Sequence, residues 1–132
     1  DLCAPSILKN TLGPSFSGKT HMIFGNVEDR EKTPELAKGF PQITHYGDQA
    51  GLEIDNKKIA VVHYPPQAKE IAEIGKYDLV FYGHSHKPWE ETVGKTKLVN
   101  PGTLAGLFYR ATFAVYDTES DELELKVLDK MK

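Results

Sequence analysis

The sequence predicts a layered α/β or α+β domain, and three observations support this class. The apolar runs are short and are interrupted by Gly, Pro, Asn and Asp, which is typical of a strand-rich chain. Two short helices are indicated, and a glycine ends each of them. Three pairs of apolar runs flank turn residues and predict hairpins. The length of 132 residues indicates a single domain, 1–132, with one core.

The first half of the chain is predicted to contain four strands and one helix. In chain order these are a buried strand at 21–24, the helix at 33–39, and strands at 43–46, 51–54 and 58–62. Thr33 is the expected N-cap of the helix, Pro34 lies in its first turn, and Gly39 ends it. Asp55 and Asn56 are expected to form the turn of the first hairpin.

The second half is predicted to begin with a helix and a buried strand and to end with two hairpins. In chain order these are the helix at 68–74, the strand at 77–82, and hairpin strands at 91–93, 97–99, 113–116 and 123–127. Gly75 ends the helix, and Gly94 lies in the turn of the second hairpin. We interpret the acidic stretch 119–124 as a solvated turn and strand face.

Composition excludes several classes of function. The formal net charge is −3 and the pI is about 5.9, so the chain lacks the basic surplus of a non-specific nucleic-acid binder. No apolar run approaches the length needed to cross a bilayer, so no membrane partner is expected. Cys3 is the single cysteine, which fits a reducing compartment. We therefore expect a cytoplasmic protein, and its oligomeric state is not predicted.

Polar side chains with metal-ligand chemistry follow three of the predicted strands. Asn26 follows the strand at 21–24, His63 directly follows the strand at 58–62, and His84 and His86 follow the strand at 77–82. In open α/β sheets the functional crevice lies at the carboxyl ends of the strands. Asn26 alone would be a turn residue and His63 alone a buried structural histidine. Only the joint pattern favours a metal site.

The types of these side chains narrow the choice of ion. Imidazole, carboxylate and amide oxygen together suit Mn, Fe, Zn or Ni ions. In an extended segment, side chains two residues apart point the same way. We therefore expect His84 and His86 to face one site, each binding a different ion of a close pair. Two ions with a bridging carboxylate are an arrangement used for phosphoryl chemistry.

This pattern resembles the calcineurin-like metallophosphoesterase superfamily, and especially its small single-domain bacterial and archaeal phosphodiesterases. Residues 25–28, Gly-Asn-Val-Glu, resemble the third of the family's five ordered motifs. His63 resembles the fourth, and residues 83–86, Gly-His-Ser-His, resemble the fifth. Asp1 resembles the aspartate of the second motif, and residues 100–103, Asn-Pro-Gly-Thr, resemble a turn that follows the last motif.

The resemblance implies a four-layer α/β sandwich with its site at the strand ends. It implies two divalent metal ions, manganese first, with nickel, iron or zinc as alternatives. Asp1 would bridge the ions, His86 would bind one of them, and Asn26, His63 and His84 would complete the other site. The implied activity is hydrolysis of a small phosphoester, above all a phosphodiester, by attack of a metal-bridging hydroxide.

The sequence departs from the family pattern at three points, one of which is Tyr64-Pro65 after the fourth motif, where Gly-His often follows. The first motif, Asp-x-His, does not appear in it. We therefore expect an N-terminally truncated sequence that lacks the first strand–helix unit, with one impaired metal site and reduced activity. Val27 stands where many family members have a histidine that protonates the leaving group, and valine cannot transfer a proton.

Two alternatives to a dinuclear enzyme remain. One is a non-catalytic protein of this fold that serves as a binding scaffold. The other is a mononuclear metal protein that uses Asp1, Asn26, His63 and His84. His21 and His45 match no motif, and we expect both to be structural or exposed at the surface.

Overall fold

The computed structural model describes residues 1–131, and the chain divides into two compact units, Asp1–Ala50 and Gly51–Lys132. The single domain predicted for 1–132 stays a prediction. Within the described residues, no helix is both long and apolar enough to cross a membrane. The mixed α/β class is confirmed, since both units combine helices with strands that pair in parallel.

The first unit packs short helices against a pair of parallel strands. Its elements are α1 Pro5–Ile7, a π-helix Leu8–Leu12, α2 Gly13–Ser15, β1 Thr20–Met22, α3 Lys32–Ala37 and β2 Ile43–His45. Leu8, Ala37 and Ile43 form its core. The sequence analysis did not predict the helical turns at 5–15, because Gly13 and Pro14 are poor helix formers that obscure the pattern.

Helix α3 begins differently from the prediction. Its N-cap position is Glu31, whose side chain makes no capping hydrogen bond. Instead, Asp29 Oδ1 accepts hydrogen bonds from the backbone N–H groups of Glu31 at 3.2 Å and Lys32 at 2.8 Å. These backbone donors lower the pKa of Asp29, with that of Lys32 contributing most. The prediction of Thr33 as the N-cap was therefore wrong. Thr33 lies within the helix, and its side chain is fully buried.

The second unit, with the strand that leads into it, is built on a larger sheet. Its elements are β3 Gln49–Ile54, β4 Lys57–Val62, α4 Pro65–Ile74, β5 Leu79–Phe81, β6 Trp89–Val93, β7 Thr96–Asn100, β8 Thr112–Asp117, β9 Glu122–Val127 and a 3-10 helix Leu128–Lys130. Helix α4 starts three residues before the predicted 68–74, because the two prolines at its start fit the first turn of a helix.

The main sheet has the strand order β3-β4-β5-β7-β6. Strands β4, β5 and β7 are parallel, and β6 pairs antiparallel with β7. All three predicted hairpins are confirmed. In the first, Asp55 (φ 49°) and Asn56 (φ 64°) both adopt the left-handed conformation, which is typical of a type I′ turn.

The core of the second unit follows the alternation of side chains along the sheet. On one face, buried residues of the sheet pack against Ala68 and Ala72 of α4; these are Ala60, Val62, Val80 and Leu98. On the other face, buried Ile59, Leu79 and Val99 pack against residues of β8 and β9. Because β4, β5 and β7 are parallel, the residues that follow them lie at the same edge of the sheet.

Candidate metal centre

His63 and His84 lie side by side at this edge of the sheet. His63 directly follows β4, and its carbonyl oxygen accepts a hydrogen bond from the backbone N–H of Gly83 at 3.1 Å. The ring nitrogens His63 Nε2 and His84 Nδ1 are 3.2 Å apart. The two rings meet edge to face, with centroids separated by 5.1 Å. His63 is buried and His84 is exposed, so the pair opens to solvent on the His84 side.

The spacing of these nitrogens fits two ligands of one metal ion. Two nitrogens each about 2.1 Å from an ion lie about 3.0 to 3.4 Å apart at octahedral or tetrahedral angles. The observed 3.2 Å falls within this range. This separation is therefore compatible with a shared divalent ion, and it is also that of a hydrogen bond between the two rings.

The loop that carries His84 and His86 is not extended. His84 has φ of 66° and His86 has φ of 60°, both in the left-handed region. The loop forms a tight turn instead of a strand. In this turn the N–H of Ser85 donates to the carbonyl of Gly83 at 2.8 Å. The expectation that this segment is extended was therefore wrong. Left-handed backbone costs a residue with a Cβ about 1 to 2 kcal/mol, and such conformations cluster at functional sites.

Asn100, at the end of β7, holds this strained loop in place. Its side chain is 1% exposed and lies at the end of β7. The amide nitrogen donates to the carbonyl of Gly83 at 3.1 Å and to Oγ of Ser85 at 2.9 Å. The amide oxygen accepts from the backbone N–H of Gly102 at 3.0 Å. Two hydrogen bonds from this buried side chain therefore restrain the residues on both sides of His84, and the third holds Gly102.

His86 presents a buried nitrogen that has no hydrogen-bond partner. The atom is Nδ1, which is shielded from solvent. A buried polar atom without a partner is uncommon in folded proteins and is often explained by an ion or a water. The His86 ring is also stacked on Phe108, with centroids 5.8 Å apart and planes inclined by 30°. This nitrogen therefore fits a metal ligand.

In the first unit, Asp1 lies against the turn that contains Asn26. The backbone N–H of Val27 donates to Asp1 Oδ1 at 3.0 Å. Gly25 allows this approach, because a Cβ on that residue would lie 1.7 Å from the same oxygen. Asn26, which lies in this turn, is exposed. Gly25 and Asp1 are thus complementary in shape, which the sequence motif alone does not show.

Glu28 supports the Asp1 segment from within the first unit. Its Oε1 accepts a hydrogen bond from the backbone N–H of Leu2 at 2.8 Å. Its Oε2 lies 3.9 Å from Nε2 of His45, and both side chains are almost fully buried. Burial lowers the pKa of His45, although Glu28 raises it. His45 is therefore structural, as expected, and His21 is exposed and bonded to the hydroxyl of Tyr46.

The structure brings the predicted ligands together within each unit. Asp1 lies at the Asn26 turn in one unit, and His63 pairs with His84 in the other. Across residues 1–131, no three His, Cys, Asp or Glu side chains form a group that would hold a metal ion. Sequence reasoning assigned no role to Glu28 or Asn100. Their signal was present, because each belongs to a short motif that was recognised for other residues.

Comparison with known proteins assigns the family. The model of the calcineurin-like phosphoesterase superfamily domain matches residues 1–121, so the chain belongs to this superfamily. The chain is 34% identical over 110 residues to a phosphodiesterase from Methanocaldococcus jannaschii. That match covers 80% of this chain and 66% of the relative, so the chain spans just under two thirds of its length.

Solved structures show the same fold. An archaeal phosphodiesterase superposes with a TM-score of 0.85 at 26% identity, covering 96% of this chain and 78% of that one. Vacuolar protein sorting 29 from Cryptosporidium parvum superposes with a TM-score of 0.65 at 16% identity, covering 95% and 75%. The latter likeness shows the fold alone. The predicted superfamily and its fold are therefore confirmed.

Proposed function

We propose that this protein is a metal-dependent phosphodiesterase that uses two divalent ions. The observation that carries the proposal is the pair His63 and His84, whose ring nitrogens lie 3.2 Å apart at the sheet edge. In a member of the calcineurin-like phosphoesterase superfamily, this is the chemistry expected of a metal ligand pair. The curated relative with 34% identity is itself a phosphodiesterase, which supports the same activity here.

The proposed ligands are Asp1, Asn26, His63, His84 and His86. By family resemblance, Asp1 and Asn26 of the first unit and His63, His84 and His86 of the second would serve as metal ligands. Gly25 supports the role of Asp1 because it leaves space for the carboxylate. Asn100 supports the roles of His84 and His86 because it restrains the loop between them.

The ions, when bound, would supply an activated water and would stabilise negative charge on the phosphate oxygens. Hydrolysis forms a bond from the water oxygen to phosphorus and breaks one P–O ester bond, and the departing oxygen needs a proton unless it leaves as a stable anion. Val27 cannot supply that proton, and its exposed side chain borders the Asp1 turn. Esters of acidic alcohols, whose oxygens leave without protonation, are therefore the expected substrates.

The proposal extends to the metal, the substrate and the location. Manganese is the expected ion, with nickel, iron or zinc as alternatives, because imidazole and oxygen ligands suit all four. The substrate is expected to be a small phosphodiester. With a net charge of −3, non-specific binding to nucleic acid is not expected. A cytoplasmic location agrees with the single cysteine.

The test is hydrolysis of bis(p-nitrophenyl) phosphate by the purified full-length protein with manganese, alongside metal analysis. The His84→Ala variant should lose on the order of 100-fold in activity or more, together with bound metal. The matched control is His21→Ala, since His21 is an exposed histidine outside the proposed site. Wild-type protein that binds metal but hydrolyses no phosphodiester would refute the enzymatic proposal.

The main alternative is a non-catalytic protein of the same fold that binds other proteins. The fold does not separate the two, since a protein named for vacuolar sorting has the same architecture. An inert wild-type protein would favour this alternative. One ion per chain, rather than two, would favour the mononuclear assignment.

A further inference from the structure

Phe108 exposes an aromatic ring directly beside a proposed metal ligand. The residue is 83% exposed, and its ring is stacked on the imidazole of His86. An aromatic side chain in water forgoes the burial that normally stabilises it. Leu104 and Leu107, in the same loop, are 65% and 53% exposed. The loop therefore presents an apolar surface next to the histidines of the second unit.

The backbone of Phe108 is held in an unfavourable conformation. Its φ is 67°, in the left-handed region. In the described part of the second unit, the other non-glycine residues with positive φ outside hairpin turns are His84 and His86. Strained backbone of this kind persists where the surrounding structure requires a particular side-chain direction. Phe108 thus shares a structural signature with the two proposed ligands.

Tyr64 places a second aromatic ring beside the histidine pair. Its ring centroid is 4.9 Å from that of His63 and 4.9 Å from that of His84. Tyr64 is 44% exposed, so part of the ring contacts solvent. Aromatic rings therefore border both His84 and His86, and both rings remain accessible.

We propose that Phe108 is the stacking surface for a planar aromatic ring carried by the phosphoester substrate. The inference deepens the proposed phosphodiesterase function and rests on it. Because the Phe108 ring contacts His86 and is exposed, the substituent of a phosphoester held by ions at these histidines would lie beside it. Stacking on an aromatic side chain selects planar rings of any identity, so an aryl group and a nucleobase share this chemistry.

The binding of phosphomonoesters separates this stacking from the reactivity of the leaving group. Phenyl phosphate, thymidine 5′-monophosphate and ethyl phosphate each carry one substituent on the same phosphate group. Their dissociation constants are measured by calorimetry on manganese-loaded full-length protein. They are also measured as inhibition constants against bis(p-nitrophenyl) phosphate. For the wild type we expect the aromatic phosphates to bind on the order of tenfold more tightly than ethyl phosphate.

Variants of Phe108 assign the preference to its ring. Phe108→Leu keeps an apolar side chain without the ring, and it should abolish the preference for aromatic phosphates while ethyl phosphate binds as before. Phe108→Tyr keeps the ring and should keep the preference. Phe16→Leu is the matched control, because Phe16 is a phenylalanine of the first unit that is 52% exposed. Thermal unfolding curves show that each variant is folded.

The outcomes distinguish the inference from the proposed function. A Phe108→Leu variant with an unchanged preference, or with equal losses for phenyl and ethyl phosphate, would overturn the role of Phe108. A preference for phenyl phosphate but not for the nucleotide would support stacking and identify an aryl ester as the substrate. Absence of hydrolysis with the ring preference intact would refute the phosphodiesterase and leave the stacking surface supported.

Discussion

The buried amide of Asn100 donates a hydrogen bond to the carbonyl oxygen of Gly83 at 3.1 Å, which ties the end of β7 to the loop of His84. The same amide group bonds to Ser85 on the other side of this histidine. Strand β7 therefore holds the residues on both sides of His84. This relationship gives the first of four predictions.

Replacement of Asn100 by alanine should weaken both stability and metal binding. The change leaves the carbonyl of Gly83, the hydroxyl of Ser85 and the N–H of Gly102 without their partner. We expect the free energy of unfolding to fall by about 2 to 3 kcal/mol. Urea denaturation measures this loss, and the exposed Asn10→Ala is the control. A folded Asn100→Ala variant with wild-type metal affinity would contradict the role of Asn100 in positioning.

Glu28→Ala and Glu28→Gln should differ in their effects. Alanine removes the acceptor of the Leu2 N–H, and we expect a loss of about 1 to 3 kcal/mol in stability. Glutamine keeps an oxygen at that position and should lose less. Because Leu2 follows Asp1, metal affinity should decline in the same order, measured by titration with manganese. The exposed Glu31→Ala serves as the control, and equal effects of the two Glu28 variants would refute the hydrogen-bond explanation.

Metal should raise the thermal stability of the folded protein. An ion that binds only the native state stabilises it by about 2.7 kcal/mol when its concentration is roughly 100 times the dissociation constant. Scanning calorimetry with manganese, and again with a chelator, measures the shift in Tm. His63→Ala should remove most of the shift, whereas His21→Ala should keep it. A shift that survives in His63→Ala would place the ion elsewhere.

Asp121 should make stability depend on pH in the acidic range. Hydrogen bonds from Tyr116, Lys57 and Lys97 hold the pKa of Asp121 far below its ordinary value. Since the folded pKa is depressed, the carboxylate contributes stability above its unfolded pKa of about 3.9. That contribution is lost as the pH falls from there through the folded pKa.

The variant Asp121→Asn tests this dependence. It should be less stable than the wild type at pH 7, and the difference should narrow as the pH falls below about 4. Thermal unfolding across this range measures the difference. Asp129→Asn, which changes an exposed carboxylate elsewhere in the second unit, is the control. A difference that stays constant with pH would show that Asp121 is not titrating in this way.

The sequence predicted local features well where a local cause is sufficient. The hairpin at Asp55 and Asn56 was predicted because two adjacent residues that tolerate positive φ specify a tight turn. The end of α4 at Gly75 was predicted for the same kind of reason, since that glycine has φ of 70°. The start of α3 was not predicted correctly, because its capping side chain, Asp29, precedes the segment that was predicted to be helical.

The same distinction between local and non-local causes applies to the candidate site. Residue types and their spacing were sufficient to predict the family, which is confirmed, and to nominate the five candidate ligands, which stay a prediction. The sequence did not predict the left-handed backbone of His84 and His86, in a loop whose Gly83 is held by Asn100 from a different strand. Nor did it place Phe108 against His86, which lies 22 residues away in sequence and becomes a neighbour only in the folded chain. Contacts between distant residues depend on strand order and packing, and these are properties of the tertiary structure.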